Sequence, residues 1–217
     1  MKGLLEKEKI SMINICKVFL LIPLIFYAAL IYGTVIKGHS SLDGYPLGLV
    51  FIMMGIMPIA VINQETQSKW HVNVLTMPFT RSQIVSVKYI AVLIINLLTA
   101  IVSAAVITFC SVYGADTNGI NAVVTANMLF GGLGIGLMPS VIFFPLCFRF
   151  YNSVGGIKTI LGALVGGFMG GSNMVIMEQV MKSKGIFGGG FIFICVMLVL
   201  FFVSWGLSIL IFRKRDV

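Results

Sequence analysis

Apolar residues come in long unbroken runs along the chain, not in the alternation of a half-buried strand or the one-sided stripe of a water-facing helix. The runs cover residues 17–36, 45–62, 84–113, 123–148, 157–177 and 188–212. A bilayer core is crossed by roughly 20 apolar residues in a helix. The pattern therefore predicts an all-α membrane protein, residues 1–217 forming a single transmembrane domain of about six spans. The second run is short and holds Pro58. The third and fourth are long enough to tilt or to project past the headgroups. Residues 1–16 mix Leu4, Leu5, Met12 and Ile13 with Glu6, Lys7, Glu8 and Lys9, which suits a helix lying at the interface. The first run is longer than the apolar region of a signal peptide, and Lys37 and Gly38 follow it in place of a small-residue cleavage site.

Composition points the same way. Hydrophobic residues make up 59% of the 217 and charged residues only 10%, against about 25% in soluble domains. Too few polar side chains remain to cover a water-facing surface, so lipid must be the solvent for most of the outside. The cysteines, Cys16, Cys110, Cys147 and Cys195, sit in or beside apolar runs with no motif spacing. They read as small apolar fillers, not as a disulfide or metal framework. His39 and His71 have no Cys or carboxylate cluster near them, so no metal site is expected.

The net charge of +8 would suggest nucleic acid in a soluble protein. Here the cations lie at the ends of the apolar runs, so no nucleic-acid partner is expected. With six spans both termini share one side. That side collects Lys2, Lys7, Lys9, Lys17, Lys69, Arg81, Lys88, Arg149, Lys158, Arg213, Lys214 and Arg215, and the other only Lys37, Lys182 and Lys184. The positive-inside rule then makes both termini cytoplasmic.

Chemistry is sparse inside the runs. No Asp, Glu or Arg falls at a midplane, where ion-coupled carriers place titratable or coordinating groups. Lys88 lies near the end of the third run and can snorkel. Asn96 and Asn127 are neutral polar groups, fit either for interhelical hydrogen bonds, the favoured reading, or for a substrate path. Gly155-Gly156-Ile157-Lys158-Thr159 lacks the glycine spacing of a phosphate-binding loop. No Ser/His/Asp or His-Glu-x-x-His arrangement is evident, so no catalytic residue, cofactor site or metal ligand is assigned to this chain. Gly132 and Gly136, Gly162, Gly166 and Gly170, and Gly167 and Gly171 have the four-residue spacing of close helix packing. Pro58, Pro139 and Pro145 each remove a backbone donor and can kink a span.

The polar stretch at 63–83 is the most informative. Its first part can extend the second span as a helix, with Glu65 and Lys69 four apart in the favourable order. Trp70, Val74 and Met77 share a stripe with Leu75 beside it, and Pro78 ends the helix. Thr80-Arg81-Ser82-Gln83 fits a capping box that starts the next span. The alternative is an interfacial loop resting its Trp on headgroups.

This segment resembles the cytoplasmic loop of ABC-2-type permeases, in particular their short six-helix subfamily. The similarity lies in Glu65, Lys69-Trp70, Leu75-Thr76-Met77-Pro78-Phe79-Thr80-Arg81 and Ile84-Val85-Ser86-Val87-Lys88-Tyr89. The opening Met1-Lys2-Gly3-Leu4-Leu5 resembles that subfamily's interfacial helix. The resemblance implies the membrane subunit of an ATP-driven exporter in the bacterial cytoplasmic membrane. The coupling segment, with Glu65, Lys69, Trp70, Asn73, Val74, Leu75, Met77, Pro78 and Arg81, would dock on a separate ATPase subunit. Arg149, Tyr151 and Lys158 would add contacts. Two permease copies, identical or related, would form the path, each with an ATPase that carries the ATP and magnesium. Permeases for phenol-soluble modulins and antimicrobial peptides are of similar build, and an uncharged path suits an amphipathic peptide, toxin or lipid-like cargo. Two other readings remain open: an accessory or immunity membrane protein without transport, and a lipid-modifying enzyme, for which no catalytic cluster is evident.

Overall fold

The computed structural model describes residues 6–7, 10–11, 20–36, 45–67, 80–113, 122–149, 171, 175 and 189–213. Within these residues all regular structure is helical. Helix α1 covers Leu21–Ile31 and runs on into a π-helical turn, Tyr32–Ile36. Helix α2 is Tyr45–Gln67, α3 Arg81–Tyr113, α4 Ala122–Arg149 and α5 Gly189–Arg213. Three helical stretches among the described residues are long and apolar enough to cross a membrane: Arg81–Tyr113, Thr125–Arg149 and Gly189–Arg213. Leu21–Ile31 and Leu47–Ile62 are shorter apolar helices. The expected fifth span at 157–177 lies outside the described residues apart from Gly171 and Val175, which are helical.

Two helices begin with a local signal. Pro23 lies in the first turn of α1, where its missing N–H would have no intrahelical partner in any case. Helix α3 starts with the capping box: the Thr80 backbone N–H donates to Gln83 Oε1 at 3.1 Å, and the Gln83 N–H faces Thr80 Oγ1 at 3.4 Å. This moves the helix start to Arg81, ahead of the apolar run that begins at Ile84. Helix α2 continues past its apolar part to Gln67. The 33 residues of α3 rise about 50 Å, far more than the ~30 Å hydrocarbon core.

Helix α4 is the hub. It packs on α5, α2 and α3, and α1 lies outside, mainly against α2. Half of the spanning window of α4 is buried, against 33% for α3 and 22% for α5. The outward faces of α1, α3 and α5 present large apolar side chains such as Leu24, Ile101 and Val199, as expected where lipid or another apolar surface is the neighbour.

Glycines let α4 take this position. A Cβ at Gly55 of α2 would run into the Gly136 carbonyl of α4, and one at Gly132 would strike the Phe51 ring. A Cβ at Gly190 of α5 would meet the Asn127 backbone. The Gly132/Gly136 spacing in the sequence thus corresponds to real close approaches, with Gly55 as the unforeseen partner.

Candidate functional site

The polar chemistry of the described residues concentrates near one end of the bundle, where α2 ends, α3 begins and α5 ends. Arg81 opens α3, and its Nη1 donates to the carbonyls of Phe212 and Arg213 at 3.5 and 3.3 Å. These are orphan carbonyls of the last turn of α5, and a cation there also opposes the helix dipole. Farther along, Trp205 Nε1 donates to Ser86 Oγ at 3.1 Å. The antiparallel pair α3–α5 is therefore pinned at successive turns.

Next comes Tyr89, fully buried. Its ring meets Phe144 and Phe201 edge-on, at centroid distances of 4.8 and 5.1 Å, and stacks on Trp205 at 5.8 Å. Its hydroxyl lies 2.9 Å from Ser204 Oγ and 2.7 Å from Ser208 Oγ. Ser204 donates its own proton to the Val141 carbonyl at 2.9 Å. Ser204 must then accept from Tyr89, and Ser208 must donate to Tyr89. The chain of bonds has one direction, Ser208 to Tyr89 to Ser204 to Val141, and joins α3, α4 and α5.

The charged part of this end is also internal. Lys88 is 5% exposed, and its Nζ donates to Glu65 Oε2 at 2.6 Å. Glu65, on the extension of α2, is 8% exposed, and its Oε1 pairs with the Lys7 ammonium. Lys88 does not snorkel outward as its position near the end of the third run suggests. It lies on the buried face of α3 with Val85, Val92 and Asn96, and α2 brings a carboxylate to meet it. A carboxylate partner offsets the cost of burying an ammonium.

Asn96 and Asn127 are both buried. Asn96 Nδ2 donates to the Val92 carbonyl of its own helix at 3.1 Å and to the Gly136 carbonyl of α4 at 3.4 Å. The second of these bonds crosses from α3 to α4. Deeper still, Tyr27 of α1 and Ser103 of α3 are hydrogen bonded through their hydroxyls at 2.7 Å.

Of the coupling-segment residues singled out in the sequence, the structure describes Glu65 and Arg81. It brings both to the same end of the bundle, each engaged within the chain. Lys69, Trp70, Asn73, Val74, Leu75, Met77 and Pro78 lie outside the described residues, as do Tyr151 and Lys158. Arg149 is exposed at the last turn of α4, near that end. The residues that sequence reasoning missed are Ser204, Ser208 and Trp205, and it quoted Tyr89 only within the motif that enters α3. Their only signal is a serine pair four apart in an otherwise apolar run, which places two hydroxyls on one helix face.

This arrangement offers no nucleophile–base pair, and among the described residues no His, Cys, Asp and Glu cluster that could hold a metal. What it defines is a multi-pass helical membrane protein whose polar groups tie helix ends together. A family model described as ABC-2 family transporter protein matches residues 3–213. The chain belongs to that family. No curated protein and no solved structure matches it.

Proposed function

We propose that the chain is the membrane permease subunit of an ATP-driven exporter, working with separate ATPase subunits that bind ATP and magnesium. Membership of the ABC-2 family over nearly its whole length is the observation that carries this reading. Support comes from the sequence between α2 and α3, where an acidic residue, a Lys-Trp pair and a Pro-x-Thr-Arg turn join two helix stems. In this reading the end of the bundle carrying Arg81 and Arg213 is cytoplasmic, with both termini on that side of a bacterial cytoplasmic membrane. The segment from Lys69 to Pro78 docks on the ATPase through Trp70, Val74, Leu75 and Met77, and Arg149, Tyr151 and Lys158 flank it. Two permease copies and two ATPase subunits make the complex. Its cargo is an amphipathic peptide, toxin or lipid-like molecule, a reading supported by the scarcity of charged residues within the apolar runs.

Copurification with an ABC ATPase subunit from the same organism tests this. The expected result is a complex in which the permease raises ATP hydrolysis, lost when Trp70 and Leu75 are both changed to Asp. A chain that folds yet binds no ATPase, or a double variant that keeps complex and hydrolysis, overturns it in favour of an accessory membrane protein.

A further inference from the structure

Pro145 lies inside α4, one turn before its end at Arg149. Having no N–H, it leaves the carbonyl one turn earlier, that of Val141, without its helical donor. In a water-facing helix the solvent would fill that place. In a span it cannot, and an unpaired backbone group there is heavily penalised. The Val141 carbonyl is not left bare. Ser204 of α5 donates to it at 2.9 Å. The donor that α4 lacks in its own sequence is supplied by another helix.

The other hydroxyls fix that donor in place. A helical serine has a competing acceptor close by, the carbonyl one turn back on its own helix, which for Ser204 is that of Leu200. Tyr89 donates to Ser204 Oγ at 2.9 Å and is itself held by Ser208 at 2.7 Å. The Ser204 oxygen is thus held by one proton while its own proton goes to Val141. Beyond Pro145, α4 leans on α5 a second time, through Phe148, whose ring meets Phe212 at a centroid distance of 5.6 Å. An unbroken helix holds its last turn through its own ladder of bonds. Here the hold comes from α5.

We propose that Ser204 is a latch on a hinge at Pro145, and that Tyr89 is the residue that positions it. While α5 is docked, the Val141 carbonyl is bonded and the last turn of α4 is held. A shift of α5 by about 1 Å takes the crossing bond past hydrogen-bond length. Ser204 then turns to Leu200, and α4 is free to bend at Pro145. The stiffness of α4 at its Arg149 end therefore depends on whether α5 is in place. The latch stands whether or not the chain works with an ATPase.

Amide hydrogen exchange of the whole protein in nanodiscs tests it, read over residues 146–149 of α4 and, for comparison, over residues 132–137. S204A should raise exchange in the last turn about three- to twentyfold, the range for one hydrogen bond in a membrane protein, and leave residues 132–137 as in the parent. S204T keeps the hydroxyl and should keep parental exchange. Y89F keeps the ring but leaves Ser204 unheld, and should raise exchange in the same turn by less than S204A does. P145A returns an N–H to the Val141 carbonyl, so adding S204A to P145A should change nothing in that turn. An equal rise on adding S204A with and without Pro145 makes Ser204 an ordinary packing contact and overturns the latch. Parental exchange in S204A overturns it too, as does a rise spread evenly along α4. If the P145A variants do not fold, S204A against S204T decides, and equal exchange in those two overturns the proposal.

Discussion

Tyr89 shows how one side chain can serve three helices. Its hydroxyl is donor to Ser204 and acceptor from Ser208, while its ring is enclosed by Phe144, Phe201 and Trp205. Tyr89→Phe keeps the ring and should cost about 0.6–2 kcal/mol, the range for a hydrogen bond inside a membrane protein. Tyr89→Ala should cost about 3–5 kcal/mol through the cavity. Thermal unfolding in nanodiscs measures both. At Glu65 the order of effects follows from the shared carboxylate. Glu65→Gln strips two cations at once and should be the most damaging, at about 3–5 kcal/mol. Lys88→Met should cost less, because Lys7 still faces the carboxylate. Equal losses for Glu65→Gln and Lys88→Met would contradict the sharing. None of this was legible in the sequence. Local spacing pairs Glu65 with Lys69, which lies outside the described residues; the structure also joins Glu65 to Lys7 and Lys88, far away along the chain, and no short-range rule connects those.

At the scale of elements, long apolar runs are legible because period and length alone mark a helix that lipid can surround. Their ends are not, since polar residues prolong α2 to Gln67 and start α3 at Arg81 without adding hydrophobicity. The Thr80–Gln83 box is the exception, a start signal read correctly because its partners are three residues apart. Thr80→Ala should destabilise the start of α3 by about 0.5–2 kcal/mol, seen as faster amide exchange over the first turn. Glycine behaves oppositely on two helices. Gly55→Ala or Gly136→Ala forces α2, α3 and α4 apart and should cost about 1–3 kcal/mol. Gly206→Ala on α5 meets nothing within 4 Å and should be neutral or stabilising by up to about 1 kcal/mol. Unfolding temperatures that drop alike for all three would refute the contrast. Gly55 escaped notice in the sequence because its counterpart stands on another helix and leaves no spacing on its own.

For the whole molecule, the charge pattern makes a topological prediction that needs no knowledge of cargo. A membrane-impermeant maleimide should label a cysteine placed at Lys184 in intact cells, and should reach cysteines placed at Lys2 or Lys214 only after lysis. The reverse pattern would invert the orientation. The dominance of α4 was hidden, because centrality depends on which faces meet and the six runs look alike as strings. One feature of that hub bears on motion. The two backbones come closest where Gly55 faces the Gly136 carbonyl, so any turning of α2 against α4 would pivot there, as on a fulcrum. Gly55 stands midway between Tyr45 and Glu65, with arms of about 15 Å on each side. A sideways push of a few ångströms on the Glu65 arm would then return as a swing of similar size, in the opposite sense, at the Tyr45 end.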